Sequence, residues 1–277
     1  MAVFSFLFIL LTIPQLFADV SIAEKQTAAV KKFANKLSTT FDLTYNTDNK
    51  TLDQKDKTSN LDFTLTPAYP LSRADKLLLV ISGNKDLKDE RKFTYADSYL
   101  GYSKTLYKNS DSLISLSGIT RIYHPTSEES SNLKTLRTKL FFAPQLMVDF
   151  AKRSTMPLAL TYRPYYQQSF HKYKTAFDGQ SNVQYSLSQR LIFDFTLGEL
   201  FGITLDNIYG RSFTYQGNSK DNFLFDQSFS YSANKDIQFS VGHNNSGNAL
   251  RANGRDSNVE LFNKNKSTFY LNTSIRI

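Results

Sequence analysis

The sequence predicts an all-β chain: a transmembrane antiparallel up-and-down β-barrel of about twelve strands, preceded by a short N-terminal helix. Three observations predict it. From Thr39 onward apolar side chains recur at every second position, and because successive side chains of a strand point to opposite faces, each stretch acquires one apolar and one polar face. The connections alternate between short turns that follow an aromatic residue and longer polar stretches. The composition is aromatic yet wet, with 23 Phe and 16 Tyr against a mean hydropathy of −0.38, as happens when apolar residues occupy only alternate positions.

Composition also excludes several classes. No run of about 20 apolar residues follows the first residues, so a bundle of membrane helices is excluded. Cysteine is absent, which removes a disulfide framework, a thiolate zinc site and lipid attachment through an N-terminal cysteine. The formal charge is +8, but Lys and Arg are scattered among Asp and Glu rather than gathered in one stripe, so no nucleic-acid partner is expected. The cationic excess suits contact with anionic lipopolysaccharide. No cofactor is expected.

Taken in chain order, Met1–Ile13 is an apolar run too short to span a bilayer and ended by Pro14. It reads as a secretory segment within 1–23, with cleavage after Ala18 or Ala23 and Ser21 placing the second site closer to the small-x-small rule. Over 24–38, Val30, Phe33, Ala34 and Leu37 fall at helical spacing with Lys31, Lys32 and Lys36 on the other face. That pattern predicts a short leader helix, lying at the membrane surface or entering the barrel as a plug. The barrel is expected over 39–277, with strands near 39–46, 60–69, 76–84, 93–105, 112–123, 134–149, 156–167, 181–195, 200–212, 223–232, 237–244 and 267–277. Short turns are expected after Tyr69, Tyr102, Phe193 and Tyr231. Gly198-Glu199 is preferred to Ser188–Arg190 as the turn between the eighth and ninth strands because it balances their lengths. The longer polar connections fall near 47–58, 85–92, 124–133, 168–179, 214–222 and 245–266, rich in Asn, Asp, Ser, Lys and Gly as loops are.

Short turns at one end, long loops at the other and aromatics near the turns are marks of a barrel in a bacterial outer membrane. The last strand, through Phe269, Leu271, Ile275 and Ile277, resembles the assembly signal of outer-membrane proteins, although Ile277 stands where that signal has an aromatic and Thr273 at an apolar position. Residues 39–277 thus resemble the outer-membrane β-barrel class. The resemblance implies a cell outer-membrane location, contact with its lipids and lipopolysaccharide, and insertion by the outer-membrane assembly machinery. The soluble alternative, a sandwich or lipocalin-like barrel, would bury its apolar face and expose few aromatics.

If the apolar face is outside, the other face lines a lumen and its charges can be read by parity. Asp42, Asp62 and Asp97 fall on strands one, two and four, Arg121, Arg137, Lys139 and Arg163 on strands five to seven, and Asp194, Asp206 and Asp226 on eight to ten, with Arg190 and Arg276 as exceptions. Such segregation would set up a transverse field that orders polar solutes, or the charges pair across a narrow interior and close it. The first arrangement predicts a small pore or conduit for small polar solutes, the second a closed barrel acting as scaffold or surface-binding protein. Chemistry has one candidate. Gly242–Asn248 is similar to the His-x-Ser-Asn-Gly segment of outer-membrane phospholipases, and the similarity implies a hydrolase with a Ser-His-Asn site in which His243 would be the base and Ser246 the nucleophile. Residues two apart on a strand share a face and residues three apart do not, so Ser246 should point away from His243 unless a bulge intervenes. His124, His171 and His243 lie in separate regions and suggest no metal site. Tyr162-Arg163-Pro164-Tyr165-Tyr166 reads as part of an interfacial aromatic girdle.

Overall fold

The computed structural model describes residues 37–48, 50, 57–88, 91–108, 113–152, 156–250, 255–263 and 267–277. The secretory segment and nearly all of the leader helix lie outside the described residues. The strands are β1 (Ser38–Asp48), β2 (Ser59–Pro70), β3 (Asp75–Asp86), β4 (Phe93–Tyr95), β5 (Ser98–Lys108), β6 (Ile114–His124), β7 (Leu136–Asp149), β8 (Leu158–His171), β9 (Val183–Leu197), β10 (Phe201–Thr214), β11 (Ser219–Ser232), β12 (Ile237–Asn248) and β13 (Thr268–Arg276). Each pairs antiparallel with its neighbour, β1 pairs with β13, and β2 joins β1 to β3, so the sheet closes on itself. Closure leaves no open sheet edge, the condition for strands to cross a hydrocarbon layer. β4 is a three-residue strap on β3, so twelve of the thirteen strands form the wall.

The register fixes which side chains share a face, because directly opposed residues point the same way. Leu43, Leu100, Ile122, Phe142, Leu187 and Leu271 are among the exposed large apolar residues, and all belong to one face of the closed sheet. Apolar side chains therefore coat the outside, as a bilayer demands of a barrel, and the polar positions turn inward.

Several boundaries differ from those the sequence suggests; β12 runs to Asn248, and the strand expected over 93–105 breaks into β4 and β5. Tyr102–Leu106 is not a turn: β5 continues to Lys108 through a bulge between Thr105 and Tyr107, its residues still pairing with β6. Nor is 214–222 a long loop, because β10 and β11 run on past the expected ends and are joined by residues 215–218, where Gly217 takes a φ of 83°. That conformation is open to glycine at little cost. β8 extends to His171, shifting the following loop to 172–182. Polar residues there suggest loop, yet at the rim of a barrel both faces of a strand meet water, so a polar strand need bury no polar group. The turn after β9 does fall at Gly198, with φ 66°.

One inward position is tuned to a single neighbour. A Cβ on Gly242 would collide with the ring of Tyr270, which is opposite it on β13 and donates its hydroxyl to Asp226 at 2.8 Å. Gly242→Ala is expected to displace that ring and cost about 1–3 kcal/mol, read as a lower midpoint of urea unfolding in detergent micelles or lipid.

Candidate functional site

The inward face is built from residues two apart on each strand, and its charges are unevenly spread. Arg121 on β6, Lys139 on β7 and Arg163 on β8 lie on three consecutive strands and share the inner face. The Arg121 guanidinium is stacked between two rings, 4.8 Å from Tyr99 and 4.6 Å from Phe141, and Lys139 lies 4.4 Å from the centre of Tyr123. Cations over aromatic faces are attracted by the ring quadrupole without being neutralised. Arg163 donates through Nε to Gln145 Oε1 at 2.8 Å. The basic wall is thus held by aromatics and an amide rather than by carboxylates.

Across the ring the carboxylates are anchored by neutral groups. Asp62 on β2 accepts from Asn46 Nδ2 at 2.7 Å and also from Asn84. Asp42 on β1 is opposite Ser274. Asp194 accepts from Thr204 Oγ1 at 2.7 Å, and Asp226 from the Tyr270 hydroxyl. Arg276 ends β13 at the turn-side rim, exposed and opposite Thr40. Between the two walls is an ion pair that parity alone left as an exception: Arg190 Nε donates to both carboxylate oxygens of Asp206 at 2.8 and 2.9 Å.

Two of the expected lumen residues are elsewhere. A register shift between Leu136 and Thr138 makes Arg137 the extra residue of a bulge, so it is exposed and separated from Lys139. The bulge inverts the parity on which the sequence argument depended. Asp97 belongs to no strand; it sits between β4 and β5 and accepts from Ser127 Oγ at 2.8 Å and Ser130 Oγ at 2.6 Å, fastening the 127–133 turn to the barrel rim. Conversely, Tyr99, Tyr123, Phe141 and Tyr165 face inward although aromatics were expected outside. The signal for this was parity: each is two residues from a charge read as lumen-facing, Asp97, Arg121, Lys139 and Arg163 respectively.

The described inner face encloses two adjoining cavities. One, of about 480 Å³, opens at the loop end and is lined by Lys134, Lys139, His171 and Lys220 together with serines and amides, against a single carboxylate, Asp178. The other, of about 490 Å³, continues inward past Tyr165, Ser188 and Ser246. They share Gln167, Ser186, Ser212, Lys220 and Asn222. The 172–182 loop forms one side of the mouth, tied down by Asn182 Nδ2, which donates to the carbonyls of Lys134 at 2.9 Å and Tyr173 at 3.0 Å.

The structure separates the two phospholipase-like residues. β12 pairs with both neighbours without a register shift, so Ser246 lines the inner cavity, while His243 faces outward, its ring 5.4 Å from Phe262 and 5.2 Å from Phe269. A base and its nucleophile must lie within hydrogen-bond reach, and this pair is on opposite sides of the wall.

No protein-family model matches the sequence, and no curated protein matches it. Solved structures do. An outer-membrane channel from Pseudomonas putida F1 superposes with a TM-score of 0.59 at 11% identity, covering 87% of this chain and 95% of that one. The chain has the fold of outer-membrane channels. The NanC porin is a second example, with a TM-score of 0.53 at 10% identity over 86% of this chain and 100% of that chain. At these identities the likeness is one of architecture, and it agrees with the apolar belt of this barrel.

Proposed function

We propose that the protein is an outer-membrane pore that admits small polar solutes and favours anions. The observation that carries this reading is the pair of adjoining inner cavities, one of them opening at the loop end and lined by Lys134, Lys139 and Lys220, on the same inner face as Arg121 and Arg163; Arg121, Lys139 and Arg163 have no carboxylate hydrogen-bonded to them among the described residues. A wall of uncompensated positive charge raises the local concentration of anions and lowers that of cations. The serines and amides that line the rest offer hydrogen bonds to hydroxyl-bearing solutes without binding them tightly enough to stop release. Contact with lipopolysaccharide and insertion by the outer-membrane assembly machinery belong to the same reading.

The purified barrel is expected to give discrete current steps in a planar bilayer, with a reversal potential in a salt gradient on the anion-selective side. In cells it should fractionate with outer membranes and migrate faster on a gel before boiling than after. A protein that leaves the bilayer silent at all voltages, or that is recovered in the soluble periplasm, would rule the pore out.

A further inference from the structure

The wall has a seam. β7 and β8 pair regularly up to Phe142↔Tyr166 and again from Leu146↔Tyr162, but the three positions between make no ladder pairing. The same register sets Pro144 opposite Pro164 in that gap. Proline has no N–H, so neither residue can donate to the other, and two facing prolines remove both bonds that an antiparallel pair would exchange. Such residues are confined to sheet edges and bulges in ordinary sheets, yet here they sit at the middle of two adjacent wall strands. On the other side of Pro144 its β6 partner is Gly118, beside which there is open space.

A groove adjoins this seam on the outer face, and the inner cavity reaches it at Tyr165, next to Pro164. Outside is a groove of about 440 Å³ lined by Phe142, Pro144, Tyr162, Pro164 and Tyr209, with Arg211 at its edge; Tyr165 and Ser188 line both this groove and the inner cavity. The inner face at the seam is amphipathic, with buried Phe141 and Ala143 on β7 and Arg163 on β8 opposite Gln145. The Arg163–Gln145 hydrogen bond crosses the seam itself, standing in for the missing backbone bonds.

We propose that this seam is a lateral exit from the lumen into the membrane for an amphipathic organic anion. Its carboxylate takes the Arg163 guanidinium from Gln145, a charge-assisted bond replacing a neutral one, and its apolar part passes between Pro144 and Pro164 into the aromatic groove outside. Charge complementarity selects the anion, and the apolar lining on both sides selects the tail. The inference rests on the membrane-spanning part of the function proposed above, but not on ion conduction.

The test restores the seam. Pro144→Thr with Pro164→Thr returns both N–H donors. Pro144→Cys with Pro164→Cys adds a covalent lock, since opposed residues of such a pair lie about 5.5 Å apart at Cα, within the range a disulfide spans, and the chain has no other cysteine. Uptake of fluorescent dodecanoate is measured in cells carrying each variant, with single-channel current as an independent readout. The threonine pair should slow uptake, and the oxidised cysteine pair should reduce it to the rate of cells without the protein, both leaving current unchanged. Arg163→Gln should also slow dodecanoate. Uptake that persists through the oxidised lock, or wild-type uptake no faster than background, overturns the exit whatever the current does; a silent bilayer with seam-dependent uptake would overturn the pore and leave the exit standing.

Discussion

Replacing Arg121, Lys139 and Arg163 together with glutamate is expected to turn the pore from anion- to cation-selective, shifting the permeability ratio by roughly an order of magnitude through reversal of a local potential of a few kT. The three side chains share the inner face of β6, β7 and β8, and the solvated lumen leaves their charge available to passing ions. Arg137→Glu supplies the control. By sequence parity it belongs to the same wall, but the bulge places it outside, so its reversal should leave selectivity where it was. Reversal potentials in a salt gradient distinguish the two cases, and Lys139→Glu alone, which leaves the Tyr99–Arg121–Phe141 stack intact, should give a smaller shift in the same direction. Unchanged selectivity in the triple variant would mean that this wall borders no conducting path, and a closed scaffold would be the better reading.

Breaking the Arg190–Asp206 pair is expected to have the largest effect on stability. Asp206 is buried, with 8% of its surface exposed, whereas the Arg190 side chain retains 32%, so the loss should sit at or below the lower end of the 3–5 kcal/mol typical of stripping one partner from a buried pair, at about 2–3 kcal/mol. Arg190→Met should be the more damaging change, because Asp206 is directly opposite Asp226 and the guanidinium is what offsets two facing carboxylates. The double variant Arg190→Met with Asp206→Leu should recover most of the loss, since replacing both members leaves no unpaired charge. Urea unfolding of the folded barrel, followed by its gel mobility without boiling, reads all three. A double variant no better than the singles would show that the pair contributes attraction rather than mutual neutralisation.

The sequence by itself determined the class of this protein. Alternation such as Leu43 and Tyr45 against Thr44 and Asn46 is a local property of the backbone, so it survives without knowledge of any neighbour, and it carries the twelve wall strands and the outward apolar face. The turn at Gly198 was legible for the same reason. Parity also anticipated that Ser246 and His243 would part. What only the tertiary structure decided is everything that depends on a partner strand. Arg137 left the inner wall because one extra residue on β7 opposes β8, and Asp97 became a rim fastener because β4 breaks away before β5 begins. Arg190 found Asp206, and Pro144 met Pro164, through the registers between consecutive strands, β9 with β10 and β7 with β8. A side chain's face is set by the two-residue period within its own strand, whereas its neighbour, and the hydrogen bonds it gains or forfeits, is set by how two strands slide against each other.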